Sequence, residues 1–311
     1  MPPPWSRMAV PTDAQLLGVW GRTSSAAYAV GWNGTALAFD GERWRAETTT
    51  ATVPLTEVAG APEDPAVTFA VGWGGTILAR TEAGVWAPAP RTSTTSADLF
   101  GVHLSAADLG FAVGDAGTVL VWDGLTWADA DFAVTSELSG QLVRPRTALA
   151  GVFSANGRDW VVTGAGGASY RTPNRGASFE ALDTRESVPL RGVWGPNAGT
   201  VYAVGLEGLV LRLTNRWRRD GDALPTRFLF GVWGRDGSDV TVVGWGGTTL
   251  RRFGGDWFVE RSGSEVDLRD VWVDAPTGRA FAVGARGTIL TRTSTISPLD
   301  YDPPPEADDE P

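Results

Sequence analysis

The frame Val-Gly-x-x-Gly recurs along the 311 residues as VGWNG (Val30–Gly34), VGWGG (Val71–Gly75), VGDAG (Val113–Gly117), VGLEG (Val204–Gly208), VGWGG (Val243–Gly247) and VGARG (Val283–Gly287). A variant, TGAGG at Thr163–Gly167, fills the gap in the series. The first glycines of the copies are spaced 41, 42, 50, 41, 39 and 40 residues apart. A steady period of this size means one supersecondary unit repeated, each copy burying its apolar face against its neighbours.

The flanks repeat as well. Upstream of each frame lies L-x-G-V-W or a variant: LLGVW (Leu16–Trp20), LFGVH (Leu99–His103), LAGVF (Leu149–Phe153), LRGVW (Leu190–Trp194), LFGVW (Leu229–Trp233) and LRDVW (Leu268–Trp272). The second copy is degenerate, LTEVA at Leu55–Ala59. Downstream comes a turn and then an aromatic residue: Trp44, Trp86, Trp127, Phe179, Trp217 and Trp257. The segments between are short and rich in Val, Thr and Gly, which suits strands and not helices. Each copy predicts four strands: A is LxGVW, B is YAVG-like, C is GTIL-like, and D starts at the aromatic. Radially stacked four-stranded units of this length describe a β-propeller. The predicted fold is therefore all-β, a seven-bladed β-propeller.

The seventh copy lacks its own strand D. The N-terminus supplies a match, because Trp5 precedes Leu16 by 11 residues, as Trp44 precedes Leu55 and Trp257 precedes Leu268. Residues near Trp5 should complete the last blade and close the ring, removing two exposed sheet edges. The propeller is expected over residues 3–293, with blades at about 15–53, 54–97, 98–147, 148–188, 189–227, 228–266, and 267–293 plus 3–12. Residues 294–311, proline-rich and acidic, read as a disordered tail.

Blade 4 contains TPNRGASF, Thr172–Phe179. This stretch resembles the Asp-box, or bacterial neuraminidase repeat, S/T-x-D-x-G-x-S/T-W/F, with Asn174 at the aspartate position. Asp40-Gly41 and Asp123-Gly124 are partial boxes. With the VGxxGTIL strands, the chain resembles bacterial propellers of the photosystem II stability and assembly factor type. That resemblance implies the fold and a binding or assembly role, and it maps no photosynthetic surface onto these residues.

Composition narrows the chemistry. There is no cysteine, which removes disulfides, thiolate catalysis and cysteine–zinc sites. All 26 basic residues are arginine, which removes Schiff-base and P-loop lysines. The lone histidine, His103, shares the slot of Trp20, Trp194, Trp233 and Trp272, so it reads as a packed blade residue and not as a general base. No cofactor and no metal site is expected. Asp129 and Asp131 offer only a D-x-D pair to a calcium ion. A sialidase-like enzyme would need a tyrosine nucleophile. Tyr28 and Tyr202 share a core slot and Tyr301 lies in the tail, which leaves Tyr170. The chain reads as a non-enzyme.

The tryptophans of strands A and D read as packing between blades. Trp32, Trp73 and Trp245 fall elsewhere, in the turns between strands B and C. Their slot holds Asp115, Ala165, Leu206 and Ala285 in the other blades, so the fold does not demand an indole there. Antiparallel order puts B–C turns and D–A connections on one face. The same face receives the one large insertion, Phe132–Arg146, since Trp127 to Leu149 spans 22 residues in place of the usual 11. Insertions in repeat proteins often build binding surfaces. The candidate partner-binding residues are Trp32, Trp73, Trp245, Asp115, Phe132, Arg144 and Arg146. For each indole, exposure as a platform and folding down onto the next blade are equally open.

Charge is uneven. Residues 1–143 carry 6 Arg against 15 acids, residues 144–299 carry 20 Arg against 15, and residues 300–311 carry 6 acids. The net charge of −10 argues against nucleic acid as partner. No apolar run reaches membrane-span length, and no signal peptide is visible. As written the chain reads as cytoplasmic, or as extracytoplasmic if a leader has been trimmed. A protein partner for a monomeric ring is the leading expectation. A glycan stacked on the exposed tryptophans comes second, and a glycosidase third.

Overall fold

The computed structural model describes residues 4–135, 140–221, 225 and 227–293. They form seven antiparallel sheets around one axis. Blade 1 runs outwards from the axis as Leu16–Thr23, Ala26–Gly31, Ala36–Phe39 and Trp44–Ala46. The other blades repeat this order. Blade 2 adds a short fifth strand, Thr48–Thr49, paired parallel with Val85–Pro88. Blade 7 takes Leu268–Val273, Ala280–Gly284 and Thr288–Arg292 from the C-terminal end and Trp5–Arg7 from the other, with Trp5 opposite Arg292 and Arg7 opposite Leu290. The expected closure is thus present, and the innermost strands touch around a full circle, Leu268–Val273 packing on Leu16–Thr23. The expected tail, 294–311, lies outside the described residues.

The repeated glycines have two separate causes. The first of each frame is extended, with φ −171° at Gly31 and Gly72. A Cβ there would run into the carbonyl oxygen of Gln15 or Pro54, at the start of strand A. The second is left-handed, with φ 68° at Gly75, and a Cβ would collide with the Thr95 carbonyl in the D–A connection. The residue before it is left-handed too, φ 64° at Gly74 and 57° at Asn33. The B–C link is therefore a two-residue mirror-image turn. Trp73 sits just before these residues, where its carbonyl accepts the Thr76 N–H and no positive φ is asked of it.

Each innermost strand carries a β-bulge at its second residue. In blade 1, Leu16 pairs with Gly31 and Gly18 with Val30, leaving Leu17 unpaired. The same slip occurs in the other six blades. A bulge re-aims side chains, and here the second and third residues of strand A turn towards the axis.

Aromatic rings fill the seams, as expected from their slots. Trp5, Trp86 and Trp127 are fully buried. Trp44 lies 5.3 Å from Phe39 and 5.5 Å from Phe281, joining blades 1 and 7. Trp122 and Trp160, outside both aromatic slots, are core residues too, packed on Phe69 and Phe111. The seam between blades 6 and 7 also carries charge. Glu260 accepts hydrogen bonds from the Trp5 indole at 2.6 Å and from Arg292 at 2.7 Å. Arg251 meets Asp239 through two bonds of 2.9 Å, and all four charged groups are buried.

Candidate functional site

All B–C turns lie on one face because they are hydrogen-bonded to the D–A connections: the Trp32 N–H donates to Gln15 and the Trp73 N–H to Pro54. The three indoles of that face are exposed, Trp32 and Trp73 at 40% and Trp245 at 52%. They are also not isolated. Trp32 and Trp73, on adjacent blades, meet edge to face with centroids 5.6 Å apart. Trp245 stacks on Phe228 at 5.4 Å, and Phe228 is itself exposed. Trp32 and Trp73 thus lean on each other across adjacent blades, Trp245 leans on Phe228 of its own blade, and all three rings stay exposed. Asp115, in the equivalent turn of blade 3, is exposed.

The insertion behaves as two parts. Its described residues include a small hairpin, Val134–Thr135 paired with Leu142–Val143, whose Leu142 is 74% exposed. Arg144 and Arg146 are exposed, and Arg144 pairs with Asp131 at 2.6 Å. Phe132 stands apart from the other candidates. It is 4% exposed and packs edge-on against Tyr170 and Phe179, both at 5.0 Å. A large apolar ring at the base of an insertion is drawn into the seam, so Phe132 anchors the insertion in blade 4 and offers no surface to a partner.

The remaining chemistry candidates are accounted for by packing. His103 is half-buried at the axial cavity, its Nε2 lies 2.9 Å from the Ser154 carbonyl, and it packs on Phe153. Burial holds its pKa down to about 4, against a partial rise from that hydrogen bond. Burial pushes the Tyr170 phenol up, the opposite of an activated nucleophile. Asp129 accepts a hydrogen bond from Ser93, and among the described residues no cluster of three acids or histidines forms a metal site. Several arginines of the second half are paired, among them Arg219 with Glu186, Arg251 with Asp239 and Arg252 with Asp220. In TPNRGASF, Asn174 Oδ1 accepts the Ser178 N–H and Thr172 Oγ1 accepts the Gly176 N–H, a self-contained turn in one blade. It does not amount to a set of Asp-box repeats.

A second feature of interest was not drawn from the sequence. The axis holds a cavity of about 290 Å³ lined by the inner strands of all seven blades. Glu57 and Asp270 line it, in the third slot of strand A, where the five other copies hold glycine. Gly18 and Gly231, on the preceding blades, make room for them; a Cβ on either would lie 2.7 or 2.8 Å from the acid's Cα. Burial raises both carboxyls, Asp270 to about 7, and the negative charge of Asp270 raises Glu57 further. Arg191 and Arg269 line the same cavity from the bulged slot. The signal was visible when the copies are aligned: Glu57 and Asp270 are the two departures from LxGVW at its glycine.

A comparison with protein-family models finds no match, and neither does a comparison with curated proteins. Among solved structures, the chain is similar to YCF48 bound to a D1 peptide, at TM-score 0.73 and 15% identity over 94% of this chain and 97% of that one. It is similar to YCF48 from Cyanidioschyzon merolae, at 0.72 and 16% over 93% and 98%. The WD40 β-propeller domain of Doa1 gives 0.75 and 12% over 93% and 96%. At such identities the likeness is one of fold. No helix among the described residues is long and apolar enough to cross a membrane.

Proposed function

We propose that this chain is a non-catalytic scaffold that binds a protein partner through the face carrying the B–C turns and D–A connections. The observation that carries this reading is the pairing of exposed aromatics there, Trp32 with Trp73 and Trp245 with Phe228, in turns whose geometry asks for no indole. Large rigid rings with a free side are the residues that most often anchor protein interfaces. Asp115, Arg144 and Arg146 would form the polar rim of that contact. One structural neighbour was solved with a peptide bound, which supports a binding role for this fold.

Site-specific photo-crosslinking in the native cell tests the reading. Probes beside Trp32, Trp73 and Trp245 should capture one and the same protein, and probes at Ser25 and Leu125, on the opposite face, should not. Trp73→Ala should weaken that partner by about 2 kcal/mol, roughly thirtyfold. Capture from both faces alike, or a Trp73→Ala variant with undiminished binding, would overturn it. Retention of a glycan on an array, abolished by Trp73→Ala, would replace it with a lectin-like function.

A further inference from the structure

The axial cavity presents charges of both signs that do not meet. Glu57 Oε1 accepts the N–H of Val58 at 2.9 Å, and Asp270 Oδ2 accepts the N–H of Val19 at 2.8 Å. Neither carboxyl has an ion-pair partner among the described residues. Arg191 likewise has no acid among the described residues; it is an exposed residue whose partly covered guanidinium is held below its usual value by burial and then by the like charge of Arg269. Arg269 lies over the Phe230 ring at 4.4 Å and gives one nitrogen to Asp267 at 2.9 Å, while its Nε is buried with no acceptor. Glu57 is on blade 2 and Arg191 on blade 5, across the axis from each other. The ring geometry holds them apart, and nothing among the described residues bridges them.

Unpaired charge drawn into a partly enclosed site is unfavourable, so it persists where something else completes it. None of these four residues is required by the repeat. Glycine serves in the slot of the two acids, and Leu17, Ala150 and Phe230 serve in the slot of the two arginines. The volume lies at the lower edge of small-molecule sites, roughly 300 Å³ and upwards. Trp20, Trp233 and Phe153 add aromatic walls suited to an ammonium group.

We propose that the axial cavity binds a small zwitterion of the amino-acid class, its ammonium at Glu57 and Asp270 and its carboxylate at Arg191 and Arg269. A molecule carrying both signs serves the two carboxyls and Arg191 at once, whereas a simple anion leaves the carboxyls bare and a simple cation leaves Arg191 bare; Arg269 already holds Asp267. The site is separate from the exposed tryptophans, none of which lines the cavity. It therefore does not rest on the protein-binding reading.

The test is calorimetric titration of the full chain with the free α-amino acids, each compared with analogues lacking one charge. Those analogues are the amino-acid amides and the N-acetylated acids. At least one zwitterion should bind, and both of its single-charge analogues should bind at least tenfold more weakly. Glu57→Gln and Arg191→Gln should each lower affinity at least tenfold, and Trp73→Ala should leave it unchanged. No binding by any zwitterion, or an N-acetylated acid binding as tightly as its parent, would overturn the proposal. The analogue comparison uses the unaltered protein, so a variant that fails to fold does not decide the outcome.

Discussion

Two regions of this propeller draw charge inwards, the seam burying it fully and the axial cavity in part, and they treat it in opposite ways. At the seam of blades 6 and 7, Glu260, Arg292, Arg251 and Asp239 form bonds of 2.7 to 2.9 Å, and the Trp5 indole joins them. In the axial cavity, Glu57, Asp270 and Arg191 line one space and form no ion pair. Desolvation costs are similar in kind at both places. Only the seam recovers them by pairing. The seam therefore reads as structure, since it fastens the N-terminal strand to the ring. The cavity reads as a site, because its charges cost stability that the fold does not return.

The comparison can be broken most forcefully at the seam. Glu260→Ala would leave Arg292 buried without its acid, and should cost about 3–5 kcal/mol in urea unfolding. Truncating Trp5 to alanine should cost a similar 3–5 kcal/mol, and removing residues 1–12 should lower the melting temperature markedly. An unchanged value for the truncation would refute closure by this strand. Replacing Glu260 and Arg292 together with methionine should be less damaging than the sum of the two single changes, read by a double-mutant cycle.

In the cavity the sign reverses. Asp270 holds its proton more tightly folded than unfolded, so its contribution to stability is full below its ordinary value of 3.8. It is lost as pH rises through about 7. Glu57 acts in the same direction. Asp270→Asn should therefore be more stable than the parent at pH 8, by on the order of a few kcal/mol, and equal to it near pH 3. A variant destabilised at pH 8 would mean that the cavity charge is structural after all.

His103 supplies the opposite slope. Its contribution is present above 6.5 and is lost as pH falls towards about 4, and His103→Gln should remove that loss from an acid titration of stability. The smallest effect is expected at the exposed pair of Arg144 and Asp131. There Arg144→Ala should change the unfolding free energy by less than about 1 kcal/mol.

Most of the architecture was legible because each requirement repeats seven times. A glycine that must clear the strand A carbonyl, or must adopt a positive φ, leaves the same letter at the same spacing in every blade. The tryptophans of strands A and D were legible as packing for the same reason. The candidate surface was legible only in part. Trp32, Trp73 and Trp245 stood out by breaking their slot's pattern, yet that pattern could not show whether a ring was covered. Phe132 looked like surface because it opens an insertion. Its neighbours Tyr170 and Phe179 come from another blade, and their approach follows from ring geometry. The arginine excess of residues 144–299 was legible as a count, but not that Arg251 and Arg252 meet Asp239 and Asp220.

The sequence by itself determined the number of blades, the identity of their strands and the use of the N-terminus to complete the seventh. These are local requirements of turn conformation and strand period, and a local requirement is written in adjacent residues. The tertiary structure alone decided which charges meet. Glu260 and Arg292 are 32 residues apart and touch, whereas Glu57 and Arg191 share one cavity and do not. Whether opposite charges pair depends on distances across the ring, which are set when the seven blades close on each other, and no periodicity in a linear chain records them.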